Sequence, residues 1–279
     1  MGMGRVETRM YKRKMKRTKL LQRSIGILLF IAAAALLWHR LPDNFRMEQI
    51  GLPTATPITA DFDQTIDSRE ITLAEESWYA IQTGVFSTEE AAVQKADAYT
   101  ERGAPGTVIR DGEKWRVFIA CYGTEEQAAS VRTRLEQNQK VDTYLYAWKC
   151  PELRLRLSGM IGQMDVVEAG FTLLISCASA LRDAAIQLDA GELTTTEAVA
   201  AVESLRSQLS LWGQTTRSRF GNKTPDLVQG MLDMTGQWSE QMESLQAAEN
   251  ATALSAALKA QAMGMYHDIV AWRSSLAAQ

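Results

Sequence analysis

Between residues 78 and 147 the apolar positions fall in short runs of alternating character, and from residue 160 onward they recur every three or four residues. The first pattern predicts strands and the second predicts helices. Residues 78–86, rich in aromatic and β-branched side chains, read as a strand. Ser87-Thr88-Glu89-Glu90 follows with the Ser-x-x-Glu spacing of a helix capping box. The helix runs to Arg102 and stops at Gly103. A strand over 107–110, the turn Asp111-Gly112 and a strand over 114–121 come next. A second helix capped by Thr124, with Gln127 three residues on, leads to a last strand over 141–147. The order is therefore βαββαβ.

The two halves are also alike in sequence. TGVFSTEEAA returns as IACYGTEEQAA, with Phe86 answered by Tyr122, 36 positions later, and Thr88-Glu89-Glu90 by Thr124-Glu125-Glu126. Two βαβ halves fold most simply as a four-stranded antiparallel sheet with both helices on one face, the ferredoxin-like arrangement. Alternation along the strands then aims Ile81, Thr83, Val117 and Ile119 at the helices. It leaves Trp78, Ala80, Gln82, Gly84, Arg116 and Phe118 on the opposite, open face.

The C-terminal stretch, residues 150–279, carries a different signal. Met164, Val167, Phe171, Leu174, Ala178, Leu181, Ala185 and Leu188 make an alternating four-three stripe that Gly191 ends. Ala198, Val202, Leu205, Leu209 and Trp212 continue it on a second helix. Thr224-Pro225 opens a third, which carries Val228, Met231, Trp238, Met242 and Leu245. Asn250 or Thr252 opens a fourth, with Leu254, Leu258, Met265, Ile269, Trp272 and Leu276. Four helices with short connections predict an antiparallel bundle, or in part an oligomeric coiled coil, able to take a protein partner or self-associate. Met and Trp at helical spacing are core residues, and neither His267 nor any other group supplies a bundle metal site.

Residues 24–38, SIGILLFIAAAALLW, hold 15 positions without a charge, and residues 1–23 before them hold nine Lys or Arg against one acid. Extended to residues 20–41 the run suits a single transmembrane helix, with Arg23 and Arg40 at the two interfaces. A cleaved signal peptide and a buried core helix are the alternatives. A core helix does not follow nine cations, and no small-x-small site follows the run. The expectation is an anchor over 24–41, a cytoplasmic basic tail over 1–23 and an extracytoplasmic remainder. Residues 42–76, with Pro42, Pro53 and Pro57 and eight acids against two bases, read as an extended linker. The 77–149 segment is then the sheet domain. The whole is an α+β chain: one membrane helix, a ferredoxin-like domain and an all-α bundle.

At this point the residues resemble a family. Tyr79-x-Ile81-Gln82-x-Gly84-x-Phe86-Ser87, an Ala- and Glu-rich helix, then Trp115-Arg116-Val117 resemble the SPOR (sporulation-related repeat) domain, over about residues 77–148. The resemblance implies a bacterial, membrane-tethered protein of the division or sporulation septum whose open sheet face binds peptidoglycan glycan strands stripped of their peptide stems. Carried over, the family's first-strand Gln falls on Gln82. With it the glycan-binding candidates are Trp78, Gly84, Arg116 and Phe118, since aromatic faces stack on sugar rings while amides and guanidinium groups bond their hydroxyl and acetamido groups. The chain departs from the family at Ala120-Cys121, where Gly-Pro is usual, and a methyl at Ala120 is expected near the sheet surface.

Other functions fit less well. After residue 40 the chain has 32 acids and 20 bases, which argues against nucleic-acid binding. Three cysteines and two histidines do not make a zinc amidase, no metal or cofactor is expected, and the reading is non-enzymatic. Cys121 and Cys150 are expected to stay unpaired because they fall at opposite ends of the sheet. A scaffold whose sheet face is covered by its own bundle, and whose contacts are with proteins, is the rival reading.

Overall fold

A computed structural model describes residues 66–278. The predicted tail, anchor and most of the linker lie outside the described residues. The elements run β1 (Ile66–Leu73), β2 (Glu76–Phe86), α1 (Glu89–Thr100), β3 (Thr107–Asp111), β4 (Lys114–Tyr122), α2 (Glu125–Gln139), β5 (Tyr144–Cys150), β6 (Leu153–Met160), α3 (Ile161–Ala190), α4 (Thr195–Phe220), α5 (Asp226–Glu243), a 3-10 turn (Ser244–Ala247) and α6 (Ala251–Ala277).

Strands β2 to β5 form an antiparallel sheet in the order β3-β4-β2-β5. Helices α1 and α2 cover one face, where Ile81, Val117 and Ile119 pack on Ala92, Ala96, Tyr99 and Ala128. This is the predicted βαββαβ arrangement, and the sequence repeat reappears in its caps. Thr88 and Thr124 take nearly the same extended backbone (φ −127° and −130°), and each hydroxyl accepts from an amide three residues on, at 3.3 Å. The cap of α1 is thus Thr88 and not Ser87. Only Thr88 has a counterpart in the second half, so the repeat itself points to it.

Two expectations are corrected. The last eight residues assigned to the linker's end before the turn at 74–75 are strand β1, and the stretch before the first bundle helix is strand β6. They form a separate two-stranded ribbon, pairing Leu73 with Leu153, Ile71 with Leu155 and Arg69 with Leu157. The Leu-Arg-Leu-Arg-Leu run of β6 alternates with period two, which puts its leucines on one face and its arginines on the other. Ile71, Leu73, Leu155 and Leu157 pack on the helical core, and Arg69 reaches Asp165 on α3 at 2.6 Å.

Helices α3 to α6 make the predicted four-helix body. Gly191 ends α3 in the left-handed conformation (φ 71°), Thr194 and Glu197 form a full capping box on α4, and Asn250 caps α6. Pro225, not Thr224, is the residue before α5, one position later than expected; the Thr224 hydroxyl instead turns back to the Gly221 carbonyl. Helix α3 is 30 residues long with a mean hydropathy of 1.5 in its most apolar window, enough by length and composition to cross a membrane. It is the central helix here, with Val167, Phe171, Leu174, Leu181 and Ala185 buried in the same core as Trp212, Met231 and Leu258.

Candidate functional site

The sheet face away from α1 and α2 is assembled by strand alternation. Strand β2 contributes Trp78, Ala80 and Gln82; β4 contributes Phe118 and Arg116; β5 contributes Tyr144, Tyr146 and Trp148. Register confirms the grouping, because residues directly opposite one another share a face: Trp78 pairs with Trp148, Ala80 with Tyr146, and Gln82 with both Tyr144 and Phe118. This face divides into two halves.

One half is covered by the helical body. The Tyr266 ring of α6 lies parallel to Trp78, with centroids 4.1 Å apart and planes 5° from each other. Trp148 meets Tyr266 edge-on at 5.4 Å, and Phe118 stacks on Trp148 at 5.7 Å. The Arg182 guanidinium of α3 also lies against Trp78, 4.5 Å from its ring centre. The Tyr266 hydroxyl donates to the carbonyls of Glu76 and Trp148, each at 3.1 Å. Trp78, Phe118 and Trp148 are left 2%, 1% and 6% exposed. The expectation that Trp78 and Phe118 lie open is therefore corrected. Burying side chains of this size stabilises by about 2–3 kcal/mol each, and the bundle's own apolar flank supplies the cover.

The other half is open. Arg116 sits at its centre, donating from Nη1 to Gln82 Oε1 at 2.8 Å and from Nε to Asp111 Oδ2 at 2.6 Å. Its guanidinium lies 4.8 Å from the centre of the Tyr146 ring, and the Tyr146 hydroxyl donates to the same Asp111 oxygen at 3.3 Å. Burial, then the Asp111 carboxylate, raises the Tyr146 phenol above its ordinary pKa. Beside this network Tyr144 is 63% exposed and Val85 44%. The product is a cation held between a carboxylate and an amide, flanked by an aromatic ring facing solvent.

Of the predicted site residues the structure brings Gln82 and Arg116 together, with Gln82 only 7% exposed beneath the guanidinium, buries Trp78 and Phe118, and places Gly84 elsewhere. Between Ile81 and Gly84 the β2–β4 register shifts twice, so that Ile119 and then Thr83 are extra residues. The second shift turns Gly84 to the helix side, opposite Val117, where a Cβ would meet the Phe86 ring at 2.6 Å. The shifts also put Ala120 with the helix-side core and Cys121 under the bundle. The departure from the family pattern at Ala120 thus lies on the face away from the open strip. Tyr144, Tyr146, Trp148 and Asp111 were missed. The Tyr-x-Tyr-x-Trp spacing of β5 holds the signal for the first three, by the alternation that selected Trp78; Asp111 reads only as a turn residue.

All three cysteines are free and buried. Burial pushes the thiols of Cys121 and Cys150 up, Cys121 to about 12, and Cys177 in the bundle likewise to about 12. Cys121 and Cys150 lie at the same end of the sheet, not at opposite ends, since β4 and β5 flank β2 and run parallel to each other. They remain apart because β2 intervenes and they sit four residues out of step, beside Ala80 and Glu76. That is a separation of roughly 16 Å, beyond any bridge. Among the described residues no three His, Cys, Asp or Glu side chains gather to hold a metal.

Comparison with known proteins gives one match. Residues 75–147 match the family model of the SPOR domain. No curated protein and no solved structure matches the chain significantly. SPOR domains are peptidoglycan-binding domains linked to cell division, and they bind rather than catalyse.

Proposed function

We propose that this chain, whose residues 75–147 are a SPOR domain, is a single-pass membrane-anchored, non-enzymatic protein. It holds peptidoglycan glycan strands outside the cytoplasm, at division or sporulation, through the open end of its sheet. The observation that carries the reading is the Arg116 network: Gln82 and Asp111 hold the guanidinium in place over Tyr146, and Tyr144 stands exposed beside it. A sugar ring stacks its apolar face on Tyr144, while its hydroxyl and acetamido groups bond to Arg116 Nη2, the guanidinium being held in place from below by the buried Gln82. A strip crossing four strands is about 14 Å wide, the span of a short glycan segment.

The full chain in mild detergent, sedimented with sacculi stripped of peptide stems, tests this. Arg116→Ala and Tyr144→Ala are each expected to weaken pelleting about ten-fold or more, the cost of a lost charge-assisted bond or stacked ring. Wild-type protein that stays in the supernatant with both intact and stripped sacculi overturns the reading. The second reading, a scaffold that binds proteins through its bundle, is favoured by the burial of Trp78, Phe118 and Trp148 under α6, and it would then stand.

A further inference from the structure

Every covalent connection between the four-stranded sheet and the rest of the described chain passes through two adjacent links of two residues, 74–75 and 151–152. Leu73 pairs with Leu153 on one side of them and Glu76 with Cys150 on the other. Beyond the links, the β1–β6 ribbon packs with the helical body. The two links are therefore the place where one body would turn against the other without disturbing either.

One side chain fastens both. Arg273, near the end of α6 and 5% exposed, donates from Nη1 to the carbonyls of Ala74 at 3.1 Å and Pro151 at 3.5 Å, and to Cys150 Sγ at 3.4 Å. Away from this latch the bodies also meet where Arg182 lies on Trp78 and Thr252 stands beside Gly103, and at the centre of the contact the Tyr266 ring lies flat on Trp78. Glu76 is half-buried in the same contact, with Arg273 and Arg182 nearby; burial raises its carboxyl above the ordinary range.

We propose that links 74–75 and 151–152 are a hinge latched by Arg273, and that the helical body is a cover whose Tyr266 occupies a second, aromatic binding surface made by Trp78, Phe118 and Trp148. Opening joins that surface to the Arg116 strip and lengthens the site for the apolar faces of sugar rings. This rests on the glycan reading above, and the experiment separates the two.

The native cysteines report the motion. Cys121 and Cys150 lie on the covered face. Cys177 lies two turns along α3 from Gly170, whose Cβ position faces Trp212 at 2.5 Å, and so points into the bundle. Native full-length protein is treated with N-ethylmaleimide and each cysteine is followed by peptide mass spectrometry. Arg273→Ala is expected to speed modification of Cys121 and Cys150 about ten-fold, the effect of losing a charged hydrogen-bond donor, while Cys177 keeps its wild-type rate. Tyr266→Phe, which keeps the ring, is the milder second variant and is expected to move the same two sites less. All three cysteines reacting at one rate in both variants, none gaining rate, or Cys150, which loses its own contact with Arg273, gaining rate without Cys121, overturns the hinge. Pelleting with stripped sacculi is then compared. A larger pelleted fraction for Arg273→Ala supports the cover. Faster labelling with unchanged pelleting overturns the cover and leaves the Arg116 strip as the site. Faster labelling with no pelleting by either protein overturns the glycan reading, and the cover's ligand with it.

Discussion

Thr194 and Glu197 carry the clearest residue-scale signature outside the sheet. The Glu197 amide donates to Thr194 Oγ1 at 3.2 Å, and the Glu197 carboxylate accepts from the Thr194 amide at 2.9 Å and hydroxyl at 2.6 Å. Those bonds, the hydroxyl first, hold the Glu197 carboxyl below its ordinary pKa. A carboxyl depressed in the folded state adds stability that is present above its unfolded pKa, about 4.3, and lost as the pH falls through the folded value. Thr194→Ala is expected to cost about 1 kcal/mol in urea unfolding at pH 7, and measurably less at pH 3. An equal cost at both pH values would show that the carboxylate contributes nothing to the cap. The Thr124 cap was legible from sequence because it depends on residues three apart, but the caps of α1 and α5 fall one residue later than their Ser87 and Thr224 signals, and the Thr194–Glu197 box went unread. The orientation of Gly84 was not legible, because it follows from the bulge at Thr83, which shows only in the pairing of β2 with β4.

At the scale of elements, α3 holds the helical body together by letting its neighbours approach. A Cβ at Gly170 would fall 2.5 Å from the Trp212 ring and closer still to Met231, two side chains with essentially no exposure. The Trp212 indole in turn donates to the Val166 carbonyl at 2.9 Å, which fixes the ring. Gly170→Ala is therefore expected to destabilise by about 1–3 kcal/mol through overpacking. Gly236, exposed on α5 with nothing within 4 Å of its Cβ position, is the contrast. Gly236→Ala is expected to stabilise by about 0.5–1 kcal/mol, the helix-propensity difference. Thermal melts of the two single variants read both signs; destabilisation by both would mean that helix α5 packs differently around residue 236. The four helices were readable because each stripe persists over many turns. Strands β1 and β6 were not. Each is eight residues long, and the β1 sequence, IDSREITL, shows its apolar alternation only at Ile71 and Leu73. The period-two run of β6 stands directly against the start of α3, where it reads as the approach to a helix.

At the scale of the whole molecule, Trp78 and Phe118 of the aromatic face were legible and Trp148 was not, and a cover by the chain's own bundle was read only as the rival to an open face, because Tyr266 and Trp78 are 188 positions apart and neither pattern names the other. Trp78, Phe118 and Trp148 belong to the same continuous apolar core as the bundle helices, so sheet and bundle are expected to unfold together even though they hinge locally. Tyr266 tests this. Tyr266→Phe keeps the ring on Trp78 but removes the donor shared by the Glu76 and Trp148 carbonyls, an expected loss of about 1–3 kcal/mol. Tyr266→Ala also empties the space above Trp78 and is expected to cost about 3–5 kcal/mol. Two probes follow chemical denaturation: far-UV circular dichroism, dominated by the bundle helices, and tryptophan fluorescence, to which Trp78 and Trp148 at the junction contribute. In both variants the two curves are expected to shift by the same amount and to remain coincident. Fluorescence lost well before helicity would mean that the bundle stands alone and the junction contributes little to it. The sheet face would then be covered by a body that does not need it, and its glycan surface would be the part of the molecule most easily uncovered.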